Sequence, residues 1–464
     1  MERYSLLKRF INYLKDRQMY SRKWFNPTQI LVVGFAIMIL IGALILMTPF
    51  SSASGEWTDF VSALFTATSA VCVTGLIVVD TGTYWSGFGQ FVIIALIQIG
   101  GLGFMTFTTL AFFIARKRIG LKERLVLQEG FNAYNLGGIV KYTKYVLLYT
   151  FTVELIGAVL LTIGFTPDYG LGRGIVMGVF HSISSFCNAG FDLIGNYRSI
   201  TGYVDNYIIT ITIGMLIVIG GLGFFVASDI FKKRSFKKLV VHTKLVLIIN
   251  IALLVVGMIL FFLFEYNNPG TMKDLPLDVK ILASWFQSVT PRTAGYNSLD
   301  LGAMTTASSF LTIILMFIGA SPGSTGGGVK TTTFATILLT VVSVLKGKDE
   351  IEVFKKTIVI NVVKRALSVV CIALFVVIVA IAILSFTEDA SFLEICYEVV
   401  SGFATVGLTM GITQELTTVG RLVIILTMFI GRLGPLTIAL AVAQLQSSSH
   451  KGKYRYLDGD ILVG

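Results

Sequence analysis

Apolar positions in this chain fall in long unbroken runs, neither alternating nor recurring every third or fourth residue. Phe25–Gly55, Thr81–Ala115, Asn206–Ser228, Leu245–Phe264, Leu301–Val329 and Ala366–Thr387 contain no Asp, Glu, Lys or Arg. A helix needs ~20 residues to cross a bilayer, so each run is long enough to span one. Taken with the basic loops between them, the runs predict eight spans, at roughly 27–49, 85–115, 141–166, 203–231, 241–265, 305–345, 361–386 and 419–446. Four shorter apolar segments lie between the members of each pair, at about 57–72, 173–187, 278–290 and 390–403. They are too short to cross and have the length of re-entrant half-helices, whose non-helical ends must be buried in protein or face water. The expected fold class is therefore an all-α integral membrane protein. Four tandem span–pore-helix–span repeats, eight transmembrane helices and four re-entrant half-helices in all, would surround one pseudo-fourfold pore. Repeat 1 is expected at 27–115, repeat 2 at 141–231, repeat 3 at 241–345 and repeat 4 at 361–446, between a basic tail at 1–26 and a second tail at 447–464.

Composition agrees. Only 14% of the 464 residues are charged and 55% are apolar, against ~25% charged in ordinary soluble domains. A soluble multidomain enzyme is excluded, and 35 phenylalanines with eight prolines fit neither a disordered nor a fibrous chain. Of the 37 Lys and Arg, 29 cluster in the amino-terminal tail, Arg116–Lys144, Lys232–Lys244, Lys346–Arg365 and Lys451–Arg455, all on one side of an even-numbered bundle. The positive-inside rule makes that side cytoplasmic, with both termini inside a bacterial-type cell membrane. The net charge of +11 is thus a topology signal, and no folded basic domain is long enough to argue for nucleic acid. Cys72, Cys187, Cys371 and Cys396 lack metal or disulfide spacing and read as packing residues. No signal peptide is expected, because the first apolar run is long enough to remain as a span.

The four half-helices end alike. Phe65 to Gly75-Leu76, Phe180 to Gly190-Phe191, Trp285 to Gly295-Tyr296 and Tyr397 to Gly407-Leu408 each place an aromatic ten residues before a glycine and an apolar or aromatic residue after it. Further along each copy comes Ile-Gly, at Ile99-Gly100, Ile219-Gly220, Ile318-Gly319 and Ile430-Gly431. A half-helix entering from outside aims its terminal carbonyls, the negative end of its dipole, at the bilayer centre. An extended glycine-containing strand then adds carbonyl oxygens, and four such strands around one axis replace the water shell of a monovalent cation. Glycine suits the backbone angles that this alignment demands. Gly100, Gly103, Gly220 and Gly223 read instead as helix-packing glycines.

The sixth span carries a second signal. Gly319-Ala-Ser-Pro-Gly-Ser-Thr-Gly-Gly-Gly-Val-Lys-Thr-Thr-Thr333 cannot sustain a helix, so it must be a break facing a cavity. Two strings inside it, one close to a phosphate loop and one close to a nucleophile elbow, lack the preceding strand that either motif needs.

With these features in view, the chain resembles the ion-conducting subunit of the Ktr branch of the Trk/Ktr/HKT superfamily of potassium transporters. The likeness runs from about Asn26 to the carboxyl end and is most specific at Ile99–Phe107, Thr290–Asn297 and Val406–Gly411. The resemblance implies a potassium filter lined by carbonyls of Val73, Thr74 and Gly75; Asn188, Ala189 and Gly190; Thr293, Ala294 and Gly295; and Thr405, Val406 and Gly407. Related plant proteins with serine at the first filter glycine prefer sodium, so Gly75 implies potassium. It also implies an intramembrane gating loop at 319–333, with Gly319, Ser321, Gly323, Ser324, Thr325, Gly326 and Lys330, and a homodimer on a cytosolic ring of RCK-type regulatory subunits that bind adenine nucleotides. No cofactor is expected on this chain itself; potassium is the transported ion, sodium a candidate activator, and the nucleotide belongs to the partner. The basic loops Arg116–Lys122 and Lys346–Lys356 are candidate docking segments, or charges set beside anionic lipid. Arg432 occupies the position where the first two copies have Gly101 and Gly221, and is expected to pair with free carbonyls and the hydroxyls of Ser321, Ser324 and Thr325, forming a closed barrier with the loop. Glu154 reads as a structural hydrogen-bonding group in preference to a conducting site, and His181 as an outer-pore hydrogen-bonding residue. Arg292 is either a helix-end or a vestibule charge. Two other functions stay open: a sodium-coupled secondary cation symporter, and, more remotely, an intramembrane serine protease using Ser321 or Ser324 with His181 or His242.

Overall fold

The computed structural model describes residues 27–103, 106, 109, 120–130 and 138–446. Both tails and most of 104–119, where part of the second expected span and the Arg116–Lys122 loop fall, lie outside the described residues. The chain is helical almost throughout. Its elements are α1 (Pro27–Leu46), α2 (Phe60–Cys72), α3 (Gly87–Leu102), α4 (Leu121–Gly130), α5 (Ile139–Phe186), α6 (Tyr207–Gly221), α7 (Phe224–Lys233), α8 (Val241–Glu265), α9 (Leu277–Val289), α10 (Thr306–Phe317), α11 (Thr331–Leu345), α12 (Ile360–Thr387), α13 (Phe392–Ala404), α14 (Thr418–Leu433) and α15 (Pro435–Gln446). The all-helical expectation omits one small hairpin, Glu352–Val353 paired antiparallel with Lys356–Thr357. Its two turn residues, Phe354 and Lys355, both have positive φ, the twist that tight hairpins require.

The usual pattern of a soluble protein is inverted. Leu148 and Leu155 on α5, Leu263 on α8 and Phe375 on α12 are exposed, while Thr66, Ser69, Ser184, Ser288 and Ser401 are fully buried in the middle of the molecule. Lipid stabilises an apolar exterior, and polar side chains are tolerated only where protein partners surround them. Among the described residues, helices α1, α5, α8 and α12 are long and apolar enough to cross a membrane unaided, and α6 with α7 forms a bent apolar pair that is long enough only if the two count as one span.

Short-range packing groups each long helix with the half-helix and helix that follow it. In the first group a Cβ on Gly42 of α1 would lie 2.7 Å from the Leu96 side chain of α3 and 3.4 Å from Ala67 of α2. Likewise α5 packs on α6, α8 on α9 and α10, and α12 on α13 and α14. The groups then contact one another in chain order, through α3 with α5, α6 with α9 and α10 with α13, and the circuit closes where α14 meets α2.

Three helices depart from the expected spans. The 203–231 span bends by 92° between α6 and α7, at Gly223, whose φ is +94°. The 419–446 span breaks at Gly434, φ +87°, before Pro435, a residue that readily starts a helix and cannot continue one. Gly103, φ +81°, ends α3 at the same place in the first copy. Gly103 and Gly223 are therefore breakpoints. For Gly103 this corrects the packing role read from sequence, since no described residue lies within 4 Å of a Cβ built on it, whereas Gly223 also packs closely, with the Pro322 carbonyl oxygen 2.6 Å from where a Cβ would be. Gly100, Gly220 and Gly431 do have that role. Their absent side chains let α3, α6 and α14 lie against the carbonyls of Val71, Phe186 and Phe403, each four residues before a half-helix glycine. The 173–187 half-helix is continuous with the long α5 except for Gly170, whose φ of 71° and ψ of 167° interrupt it.

Candidate functional site

At the centre of the circuit the four half-helices stop and four glycine strands begin. In each, the residue two before the glycine is left-handed: Val73 (φ 59°), Asn188 (φ 61°), Thr293 (φ 73°) and Thr405 (φ 50°). The glycines follow at φ 97° for Gly75, 70° for Gly190, 80° for Gly295 and 92° for Gly407. Side chains other than glycine oppose such values, so residue choice builds in the glycine of each strand, while Val73, Asn188, Thr293 and Thr405, two residues earlier, are held at positive φ against their own preference. Thr74, Ala189, Ala294 and Val406 donate their N–H groups back to Ser69, Ser184, Thr290 and Ser401 at 2.7–3.0 Å. Serine hydroxyls hold the first and fourth strands from behind, Ser69 accepting from Gly75 N–H at 3.0 Å and Ser401 from Gly407 N–H at 3.1 Å. In the second, Ser184 donates to the Phe191 carbonyl at 2.8 Å, and in the third Thr290 donates to that of Tyr296.

The strands stand against one another in order. A Cβ on Gly75 would sit 2.5 Å from the Ala189 carbonyl oxygen, on Gly190 2.7 Å from that of Ala294, and on Gly295 2.5 Å from that of Val406. On Gly407 it would collide with the Thr74 carbonyl oxygen, which closes the ring. All twelve residues are brought together and the strands have no room for a side chain at any of the four glycines.

The loop between α10 and α11 lies directly under the ring. Its ends are zipped by a bridge between Ile318 and Val329 and by Ala320 N–H on the Gly327 carbonyl at 3.3 Å. Gly326 and Gly327 pass so near Thr293 and Thr405 that a Cβ on either would strike the threonine hydroxyl, and one on Gly319 would strike Gly327. Thr325 donates to Asn188 Oδ1 at 3.1 Å and to the Phe186 carbonyl at 3.2 Å. Asn188 Nδ2 in turn donates to Thr293 Oγ1 at 3.2 Å. The loop is also stitched to the bend of the fourth span, with Ser321 N–H on the Gly221 carbonyl at 3.1 Å and Phe224 N–H on the Gly323 carbonyl at 2.9 Å.

Arg432 reaches this loop through a carbonyl, one of the two kinds of acceptor expected, and not through the hydroxyls. Its guanidinium donates to the carbonyls of Thr325 and Gly100, and to that of Gly101 at 3.2 Å. Helix termini and loops are where carbonyls lack helical partners, so acceptors were free there and the hydroxyls were taken. Ser324 donates to the Ser321 carbonyl at 2.7 Å. Ser321 Oγ accepts from Asn250 Nδ2 at 3.1 Å and from Thr331 Oγ1 at 3.2 Å. Lys330 folds back on its own loop, donating to the carbonyls of Gly326 at 2.6 Å and Gly327 at 3.3 Å.

The remaining polar residues found partners. Glu154 accepts from Gln98 Nε2 at 2.9 and 3.1 Å, a buried structural bond between α5 and α3. His181 has Nδ1 2.8 Å from the Met177 carbonyl and accepts at Nε2 from Leu193 N–H at 3.4 Å, tying the second half-helix to its outgoing loop. Arg292 is buried and donates to Asn250 Oδ1. That makes it a helix-end charge held inside the protein. Ser321 and Ser324 are hydrogen-bonded to neither His181 nor His242, so no protease dyad forms.

The model of the TrkH family, described as a cation transport protein, matches residues 4–453. This chain belongs to the TrkH family. Relatives of the family chain include the Ktr system potassium uptake protein B of Bacillus subtilis (strain 168), 46% identical over 95% of this chain and 98% of that one. The potassium/sodium uptake protein NtpJ of Enterococcus hirae is 43% identical over 96% and 98%. The crystal structure of the potassium transporter TrkH from Vibrio parahaemolyticus has the same fold, with a TM-score of 0.70 at 20% identity over 90% of this chain and 85% of that one. As a TrkH-family member the chain is a multi-pass membrane transporter and not an enzyme.

Three contributors to the TrkH-family site escaped sequence reasoning. Asn250 joins Arg292 to Ser321, and its signal was available: it is the one polar side chain between Lys244 and Glu265 apart from the backbone-like Gly257. The Gly100 and Gly101 carbonyls had no signal, because a backbone acceptor is silent in sequence.

Proposed function

We propose that this chain takes up potassium across the cell membrane through a filter made of the four glycine strands, with carbonyls of Val73–Gly75, Asn188–Gly190, Thr293–Gly295 and Thr405–Gly407 standing in for water. The observation that carries the reading is the closed ring of left-handed strands, in which each glycine abuts the next strand's carbonyl. In this reading the chain is four tandem repeats around one pore, with both termini cytoplasmic. The names of the Bacillus and Enterococcus relatives, potassium uptake and potassium/sodium uptake, support potassium as cargo. No carboxylate lies in any strand, so selectivity rests on neutral carbonyl oxygens. In vesicles, the purified protein should pass potassium or rubidium in preference to sodium and lithium; equal potassium and sodium flux would sink the claim.

We further propose that the 319–330 loop and Arg432 close the path below the filter. The loop touches the second, third and fourth strands, and a fixed guanidinium beside the path repels a cation. A homodimer working on a ring of nucleotide-binding regulatory subunits follows from the Ktr resemblance, and opening then means drawing the loop aside by moving α10 and α11.

A sodium-coupled symporter is the second reading, favoured by the Enterococcus relative's name alone. Potassium uptake measured at varied sodium and membrane potential separates them: a channel follows potassium's own gradient, a symporter requires sodium's.

A further inference from the structure

On the side of the loop facing away from the strands lies a cavity of about 650 Å³. Four nitrogen-bearing side chains from four elements line it: the cationic Lys330 from the loop end, Arg432 from α14 and Arg365 from α12, and the His242 imidazole from α8. No carboxylate lines it among the described residues. The two ion pairs among the described residues, Lys233 with Asp229 and Lys348 with Glu352, involve none of these four. Arg432 and Lys330 are met only by neutral backbone carbonyls, which orient a cation without cancelling its charge. The carboxylate nearest His242, Asp229, is already engaged by Lys233 and by the Val240 N–H at 3.0 Å.

The backbone adds to the same sign. Helices α7, α8, α11 and α15 all begin on this cavity, at Phe224, Val241, Lys330 and Pro435. The residues that cap the first three, Gly223, Val240 and Lys330, make no side-chain capping bond. Each start carries about half a positive charge from the helix dipole, although the first N–H groups of α7 and α11 are already bonded, Phe224 to the Gly323 carbonyl at 2.9 Å and Thr331 to the Ala320 carbonyl at 3.3 Å. Uncompensated like charges gathered around one cavity are costly, and an anion seated among them would offset that cost. The hydroxyls of Thr333 and Thr437 on the same wall add neutral donors of the type that phosphate oxygens accept.

We propose that this cavity binds an anionic phosphate group beneath the closed loop, either inorganic phosphate or the headgroup of an anionic phospholipid. Because the basic groups come from the loop, α8, α12 and α14, the bound phosphate cross-links the elements that must separate for the loop to move, and so favours the closed arrangement. The proposal rests on the loop as barrier for that consequence; the test reads binding, so its failure is distinguishable from failure of the flux variants discussed below.

The full-length protein, delipidated and placed in phosphatidylcholine nanodiscs, is titrated with inorganic phosphate against chloride at matched ionic strength. A second set of nanodiscs contains phosphatidylglycerol and no phosphate, with retained lipid counted by native mass spectrometry. The expected result is thermal stabilisation of several degrees in at least one arm, saturating with ligand. A response to phosphate names the free ion as the source; retention of phosphatidylglycerol names the headgroup. Arg365→Gln with His242→Gln should weaken the responding arm about tenfold or more, and Arg365→Gln alone, at an exposed position that tolerates change, should weaken it measurably if the pair does not fold. No stabilisation in either arm, or unchanged affinity in a folded Arg365→Gln variant, overturns the proposal.

Discussion

Single glycines in this chain do two opposite jobs, and the structure separates them by φ and by neighbours. Gly75 sits at φ +97° with the Ala189 carbonyl where its side chain would go; Gly103 sits at φ +81° in open space. Gly75→Ser should therefore push the first and second strands apart and erode discrimination between potassium and sodium, whereas Gly103→Ser should leave selectivity near that of the parent. Reversal potentials or rubidium-to-sodium flux ratios of the two variants decide the matter, and equal losses would place the filter elsewhere. Gly431 is of the close-packing kind, laid against the Phe403 carbonyl without room for a methyl group. Gly431→Ala should cost about 1–3 kcal/mol through overpacking, seen as a lower melting temperature in detergent. Gly103→Ala meets no neighbour and should cost only the strain of its backbone angle.

At the scale of elements, the 319–330 loop is held by groups that belong to other copies: α6 through the Gly221 carbonyl, the second strand through Asn188, and α14 through Arg432. Removing Arg432 frees the Thr325 carbonyl and removes the positive charge beside the path. Arg432→Ala and deletion of Ser324–Gly327 should each raise basal potassium flux in vesicles without any partner. Since both act on one contact, the combined variant should conduct no more than the better single one, the non-additivity expected of groups that touch. If the singles fold normally and conduct no better than the parent, the barrier reading is wrong. Asn250→Leu tests the support behind the loop. It strips Arg292 of its acceptor and Ser321 of a donor, and a buried charge left without its partner costs about 3–5 kcal/mol. The variant should unfold at a clearly lower temperature, while Asn250→Asp, which keeps an acceptor for Arg292, should retain more stability.

At the scale of the whole molecule, the proposed function gives the transporter a pathway and a barrier, and makes the basic loops at Arg116–Lys122 and Lys346–Lys356 the candidate docking segments for a cytosolic partner. The second of these loops carries the Glu352–Thr357 hairpin, which lies beside α8, with Lys244 Nζ 5.7 Å from the Phe354 ring centre. A subunit pulling on this hairpin pulls on the start of α12 and the end of α11 together, and α11 begins at the loop. Purification from native membranes should yield a soluble nucleotide-binding partner, and flux should depend on the nucleotide added. Recovery of the chain alone with full, nucleotide-independent flux would count decisively against assembly.

The spans at α1, α5, α8 and α12, the half-helices and the phase of Gly75, Gly190, Gly295 and Gly407 were legible in the amino-acid string. Bilayer thickness turns an apolar run into a length, and a strand position with positive φ and no room for a side chain must be glycine, so both constraints are written locally; the positive φ of Val73, Asn188, Thr293 and Thr405 is not. The same local rule was ambiguous at Gly103 and Gly223, because a glycine that admits a neighbour and a glycine that ends a helix look alike in an apolar run. Only the packed structure resolved it, through the 92° bend after α6 and the break at Gly434. It also decided the partners of Arg432. Charge in a membrane dictates that an acceptor must exist, but which carbonyls are left free depends on where four distant helices end, and that is a property of the fold and not of any segment.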